Sequence, residues 1–141
     1  MMPVENMEGT ALDAEVLRAL GLDVMAYGDL AFGTLDTVPI AVVGDAALNP
    51  FARSPSRDWL LGGFLIQRHG IGVAPLSGDK WQAVCRGATS VGPTPLVAAM
   101  RALCLGMQEL SPVDLHRIRE CSIQQILARF AEGFVHDRRT E

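Results

Sequence analysis

Apolar residues recur at helical spacing in several stretches of the chain and alternate with other residues in one. Leu12, Val16, Leu17 and Leu20 share one helical face, Thr10 with Asp13 reads as a reciprocal N-terminal cap, and Gly21 is a stop, so a helix is predicted over residues 11–20. Ser54-Pro55-Ser56 is a turn, and Ser56 is placed to cap a helix from residue 57 to about residue 69, ended by Gly70. Gly62 and Gly63 weaken that helix by about 1 kcal/mol each relative to alanine, which points to close backbone contact with a neighbouring layer. The period then changes. Ile71, Val73 and Pro75, then Trp81, Ala83 and Cys85, alternate on either side of Ser77-Gly78-Asp79-Lys80, the pattern of a β-hairpin burying Ile71, Val73, Trp81 and Ala83 on one face.

Residues 86–91 read as a small-residue loop. Thr94-Pro95 is a helix start, a hydroxyl cap followed by a proline whose missing N–H costs nothing there. Leu96, Val97, Met100, Leu103, Cys104 and Met107 give the helix from residue 95 to about 108 a broad apolar face, the expected centre of the core. Ser111-Pro112-Val113-Asp114 repeats the start signal, with Ile123, Ile126, Leu127, Phe130 and Phe134 at helical spacing beyond it. Residues 1–9 show no periodicity and read as a loose lead-in. Residues 23–53 are rich in Gly, Asp and Pro, with one apolar run at 38–43 around Pro39 that suits an edge strand. The order of elements predicts an α+β fold, helices packed on a small antiparallel sheet (the hairpin) with a C-terminal helical extension. With no internal repeat and no linker, residues 1–141 are expected to form one domain, its core at about 10–108 and its extension at 111–135.

Composition narrows the function. At 49% hydrophobic and 20% charged, the 141 residues can bury a core that offsets chain entropy. A net charge of -4, from 12 Lys+Arg against 16 Asp+Glu, disfavours general nucleic-acid binding. Cys85, Cys104 and Cys121 are an odd count without a close pair, which fits neither a disulfide framework nor a zinc site and suits a reducing cytoplasm. No apolar run approaches the length of about 20 residues needed to span a bilayer, so no membrane partner is expected.

Several short phrases carry a resemblance. Leu12-Asp13, Ser54-Pro55-Ser56-Arg57-Asp58-Trp59, Gly62-Gly63, Leu65-Ile66, the strand at Trp81 and above all Gly92-Pro93-Thr94-Pro95-Leu96-Val97-Ala98-Ala99-Met100-Arg101 resemble the NinX-like family of phage and prophage proteins. The likeness spans residues 10–22 and 54 to about 107. It implies a phage or prophage origin and an α-β-α sandwich of the small phage type; it brings no activity and no catalytic residues. The chain departs from the family at Ala14, where an aromatic residue is common, and in the residues after the last core helix.

Four residues are candidates for binding: Asp58, Trp59, His69 and Arg101. Asp58-Trp59 presents a carboxylate and an indole beside Arg57, although Asp58 also suits the positive end of its own helix and Trp59 suits a core. Arg101 interrupts an apolar helix and reads as snorkelling to solvent, as pairing with a carboxylate such as Asp58, or as gripping a ligand. His69 stands at a helix C-terminus, where a cation is favoured and capping is the simplest role. His116, Arg117 and Arg119, flanked by Asp114 and Glu120, read as a solvated helix face. Cys85 has no histidine near it in sequence and takes an inward strand position. The glycines match no phosphate-binding spacing, and the three histidines are far apart, so no catalytic residue, metal or cofactor is expected.

These features favour a non-enzymatic accessory protein that binds an unidentified host or phage protein, with a possible homodimer through the face of Ile123, Leu127, Phe130 and Phe134. The alternatives are a nucleic-acid modulator, which the acidic balance opposes, and a small ligand-binding domain or enzyme with a cleft near Trp59, His69 and Arg101.

Overall fold

A computed structural model describes residues 3–35, 38–45, 47–49 and 52–120. Helix α1 (Gly9–Ala19) buries Leu12, Val16 and Leu17, as their spacing predicts. It begins a residue before Thr10, and the expected cap does not form: Glu8 occupies the N-cap with no side-chain bond, Thr10 Oγ1 donates to Asp29 O at 3.2 Å, and Asp13 is carried onto the buried face. The lead-in is not loose. Val4–Asn6 makes a single 3-10 turn with Val4 buried, packed against the last core helix.

Residues 23–35 and 38–44 form a whole sheet where one strand was expected. Strands β1 (Asp23–Tyr27), β2 (Leu30–Leu35) and β3 (Val38–Gly44) pair antiparallel in the order β1-β2-β3. The strand containing Pro39 does lie at an edge, as a residue without an N–H requires. The face towards α1 carries Ala31, Ala41, Val43 and Gly33. A Cβ on Gly33 would sit 2.9 Å from Leu22 Cδ1 and 3.2 Å from Leu17 Cδ1, so small residues set how closely α1 approaches.

Helix α2 (Trp59–His69) follows the Ser54-Pro55-Ser56 turn and closes on Gly70 in the left-handed conformation. The expected hairpin forms between β4 (Gly72–Pro75) and β5 (Trp81–Cys85), with Val73 opposite Ala83 and Pro75 opposite Trp81. The expected loop after it is a third strand, β6 (Ala88–Gly92), joined to β5 through Arg86 and Gly87, whose φ values of 49° and 82° suit a two-residue hairpin connection. Small residues hid this strand and are what its packing demands: a Cβ on Gly92 would meet Ala98 N at 2.7 Å.

Helix α3 (Pro95–Gln108) starts as predicted, with Thr94 Oγ1 accepting from Val97 N at 3.1 Å and Pro95 in the first turn. It packs on all three strands of the second sheet, α1 packs on all three of the first, and α1 and α3 pack on each other. The protein is therefore α+β with two antiparallel three-stranded sheets. Each sheet packs a helix on it, α1 on the first and α3 on the second, and Gly33 and Gly92 set how closely they approach. After α3, Ser111 Oγ accepts from Asp114 N at 3.2 Å and residues 112–120 are helical. Arg119 Nε donates to Ala19 O at 3.0 Å, tying this run to the end of α1 and giving one member of the basic cluster a structural role. Ile123, Ile126, Leu127, Phe130 and Phe134 lie outside the described residues, as does the rest of the expected extension.

Candidate functional site

The two phrases Leu12-Asp13 and Ser54-Pro55-Ser56-Arg57 meet in space. Asp13 is fully buried; Ser54 Oγ donates to its Oδ2 at 2.6 Å and Ser56 N donates to its Oδ1 at 2.9 Å. Arg57 Nε donates to Ser54 Oγ at 2.8 Å, so that hydroxyl passes its own proton towards Asp13, and Arg57 Nη2 stands 3.8 Å from the carboxylate. Burial pushes the Asp13 carboxyl above its ordinary value, against the lowering pull of Ser54, Ser56 and Arg57. A carboxylate from α1 thus fixes the turn that launches α2.

That turn determines what α2 shows to solvent. Asp58, not Ser56, is the N-cap, its Oδ1 accepting from Leu60 N at 3.0 Å. The helix is pressed against α3 at Gly62, where a Cβ would lie 2.3 Å from Pro55 O and 2.6 Å from Leu96 Cδ2. With Leu61 and Leu65 buried on the inner side, Trp59 and Leu60 face outward at 59% and 67% exposure. The core role for Trp59 is therefore excluded: its indole passes 3.7 Å from where a Cβ on Gly63 would be, lying along the first turn of the helix.

His69 occupies the other end of α2. It is buried, and Arg86 Nη2 donates to its Nδ1 at 3.3 Å, which leaves the ring proton on Nε2, an N–H without a partner among the described residues. Burial, then Arg86 and Arg68, lower its pKa to about 4. It is a neutral core imidazole rather than a cationic helix cap. Arg86 Nη1 also donates to Cys85 Sγ at 3.3 Å; burial raises that thiol's pKa, the opposite of what a nucleophile needs.

Arg101 neither snorkels nor pairs with Asp58. It is buried, with Nε donating to Met7 O at 3.0 Å, Nη1 to Val91 O at 2.7 Å, and Nη2 standing 3.5 Å from exposed Glu8. It fastens the N-terminal segment to β6 and α3. An open cleft of about 430 Å3 lies beside it, lined also by Asp79, Lys80 and Pro93. Trp59 and His69 are separated by the length of α2, about 15 Å at 1.5 Å per residue, and neither lines this cleft. Asp58 and Trp59 are therefore brought together, while His69 and Arg101 stand apart from them. Asp13, Ser54 and Arg86 were not among the candidate site residues from sequence; the signal for Asp13 was an acid inside an apolar helical face, with a motif rich in donors 41 residues on.

Among the described residues no group of three or more His, Cys, Asp and Glu side chains could hold a metal ion, and no helix is long and apolar enough to cross a membrane. The class is an α+β protein in which Asp13, Ser54 and Ser56 build a buried clamp under an exposed aromatic turn. The family model described as Bacteriophage P22, NinX matches residues 3–107, covering α1, both sheets and nearly all of α3, and the chain belongs to that family. No curated protein matches it.

Proposed function

We propose that this phage-derived protein is a non-enzymatic binding module that recognises a host or phage protein through the first turn of α2. The observation that carries this reading is the exposure of Trp59 and Leu60, side by side, on a turn anchored from beneath by Asp13. An indole on a rigid mount loses little conformational freedom on binding, which is why tryptophan anchors are frequent at the centres of protein interfaces. Arg57 and Asp58 flank the pair as a polar rim. The net charge of -4 supports a protein partner over a nucleic acid, and the buried free thiols of Cys85 and Cys104 suit the cytoplasm. The test is affinity capture from host extract with and without nuclease, using the full chain and a Trp59→Ala, Leu60→Ser variant. One dominant nuclease-resistant protein, retained by the wild type and lost by the variant, is the expected outcome. Partners that vanish with nuclease would overturn it in favour of nucleic acid.

A further inference from the structure

The two sheets have four edges, and three are closed. The β3 edge is covered by the chain at Arg53, which donates to Val42 O at 3.0 Å and accepts from Gly44 N at 3.1 Å. β4 carries Pro75, and β6 has Val91 O taken by Arg101 with the 3-10 turn packed alongside. These are the usual ways of blunting an edge strand. β1 has no covering segment, proline or side chain on the carbonyls of Val24 and Ala26 among the described residues; after Asp23 at its start, Val24, Met25, Ala26 and Tyr27 are uncharged, and Met25 and Tyr27 are 53% and 57% exposed.

The backbone groups offered by this edge follow from the hairpin. β1 and β2 are joined by the two-residue connection Gly28-Asp29, so Tyr27 and Leu30 exchange both hydrogen bonds, and so in alternation do Met25 with Phe32 and Asp23 with Thr34. Val24 and Ala26 therefore turn both N–H and C=O outward, and no partner for these groups occurs among the described residues.

We infer that β1 is a homodimer edge, pairing antiparallel with β1 of a second copy about a two-fold axis at Met25, so that two three-stranded sheets become one six-stranded sheet. The strand is self-complementary in that register and in no other that centres on a residue of β1 with its outward groups matched. Val24 meets Ala26 of the partner subunit in a doubly hydrogen-bonded pair, Ala26 meets Val24 of the partner subunit likewise, and the two methionines face each other on the outer surface. Charge agrees with this choice of occupant. Asp23 falls opposite Tyr27 of the partner subunit, and the two Asp23 carboxylates stand roughly 14 Å apart along the strands, beyond a screening length of about 8 Å. The outer face is continuous across the axis through Met25, Tyr27 and Phe32, the latter two already packed edge-on with ring centroids 5.7 Å apart.

The test uses the full chain. Sedimentation from low micromolar to near-millimolar concentration is expected to show wild type reaching twice the 15.2 kDa of one chain. Ala26→Pro removes an outward N–H without touching the β1–β2 ladder, and is expected to remain monomeric with an unchanged circular-dichroism spectrum. Register is read by cysteine pairs: Met25→Cys places two thiols at the axis, about 4.5 Å apart between Cα atoms and suited to a disulfide, whereas Tyr27→Cys leaves them far out of range. Under mild oxidation Met25→Cys should form a covalent dimer at least about tenfold faster than Tyr27→Cys, with wild type as the blank for native thiols. A wild type monomeric throughout, an Ala26→Pro variant that still dimerises, or equal cross-linking at both positions would each overturn the inference.

Discussion

Ser54 Oγ lies 2.6 Å from Asp13 Oδ2, a buried hydrogen bond between residues 41 apart that joins the middle of α1 to the turn before α2. The Leu12-Asp13 phrase and the Ser54-Pro55-Ser56-Arg57 phrase are thus one structural unit, and the exposed pair Trp59-Leu60 stands directly on it.

Removing the carboxylate strands its donors. Asp13→Ala leaves the Ser54 hydroxyl and the Ser56 N–H without their acceptor in a buried site and removes the carboxylate that stands 3.8 Å from Arg57. A loss of about 3 kcal/mol is expected in urea unfolding, with Asp13→Asn intermediate because its amide can satisfy one donor but not both.

The adjacent glycines of α2 should respond with opposite signs. Gly62→Ala drives a methyl into Pro55 O and Leu96, 2.3 and 2.6 Å away, and should cost about 2 kcal/mol or more. Gly63→Ala meets only the indole of Trp59 at 3.7 Å and should stabilise by up to about 1 kcal/mol through helix propensity. Thermal midpoints of the two variants against wild type decide this.

His69 makes stability pH-dependent. Its folded pKa of about 4 lies below the ordinary 6.5, so the unfolded chain takes up the proton first. Stability is complete above about pH 6.5 and falls as pH drops towards 4, by about 3 kcal/mol in all from this group. Urea midpoints measured across that range should fall more steeply for wild type than for His69→Phe, which has no proton to bind.

Arg101 is expected to be structural. Arg101→Met leaves Met7 O and Val91 O unpaired and should cost about 3 kcal/mol, while Arg101→Lys, with one compact head group for two carbonyls, should recover part of it. If Arg101→Met melts like wild type, the clasp between the N-terminal segment and β6 is not holding the fold.

Most signals decided locally were read well, the cap of α2 at Asp58 rather than Ser56 being an exception. The Thr94-Pro95 start of α3, the Gly70 stop of α2 and the hairpin of β4 and β5 each depend on residues within a turn or a loop of one another. What escaped was set by tertiary partners. Asp13 looked like a helix cap because its true partners are 41 and 43 residues away. The strands of the first sheet are short and carry alanine and glycine on the face under α1, so no apolar alternation announced them. Arg101 was singled out correctly as unusual, but its acceptors are backbone carbonyls, which leave no mark on a sequence. For Trp59 the sequence allowed both a binding surface and a core position, because hydrophobicity alone does not distinguish an anchor presented to water from one buried.

The account stands most directly on the exposed turn of α2. The deciding measurement is a binding isotherm of the captured partner against wild type and Trp59→Ala, with the thermal midpoint of each recorded alongside. The account predicts an affinity weakened at least about tenfold, or about 1.4 kcal/mol, with the midpoint unchanged; equal affinity in a folded Trp59→Ala would contradict it.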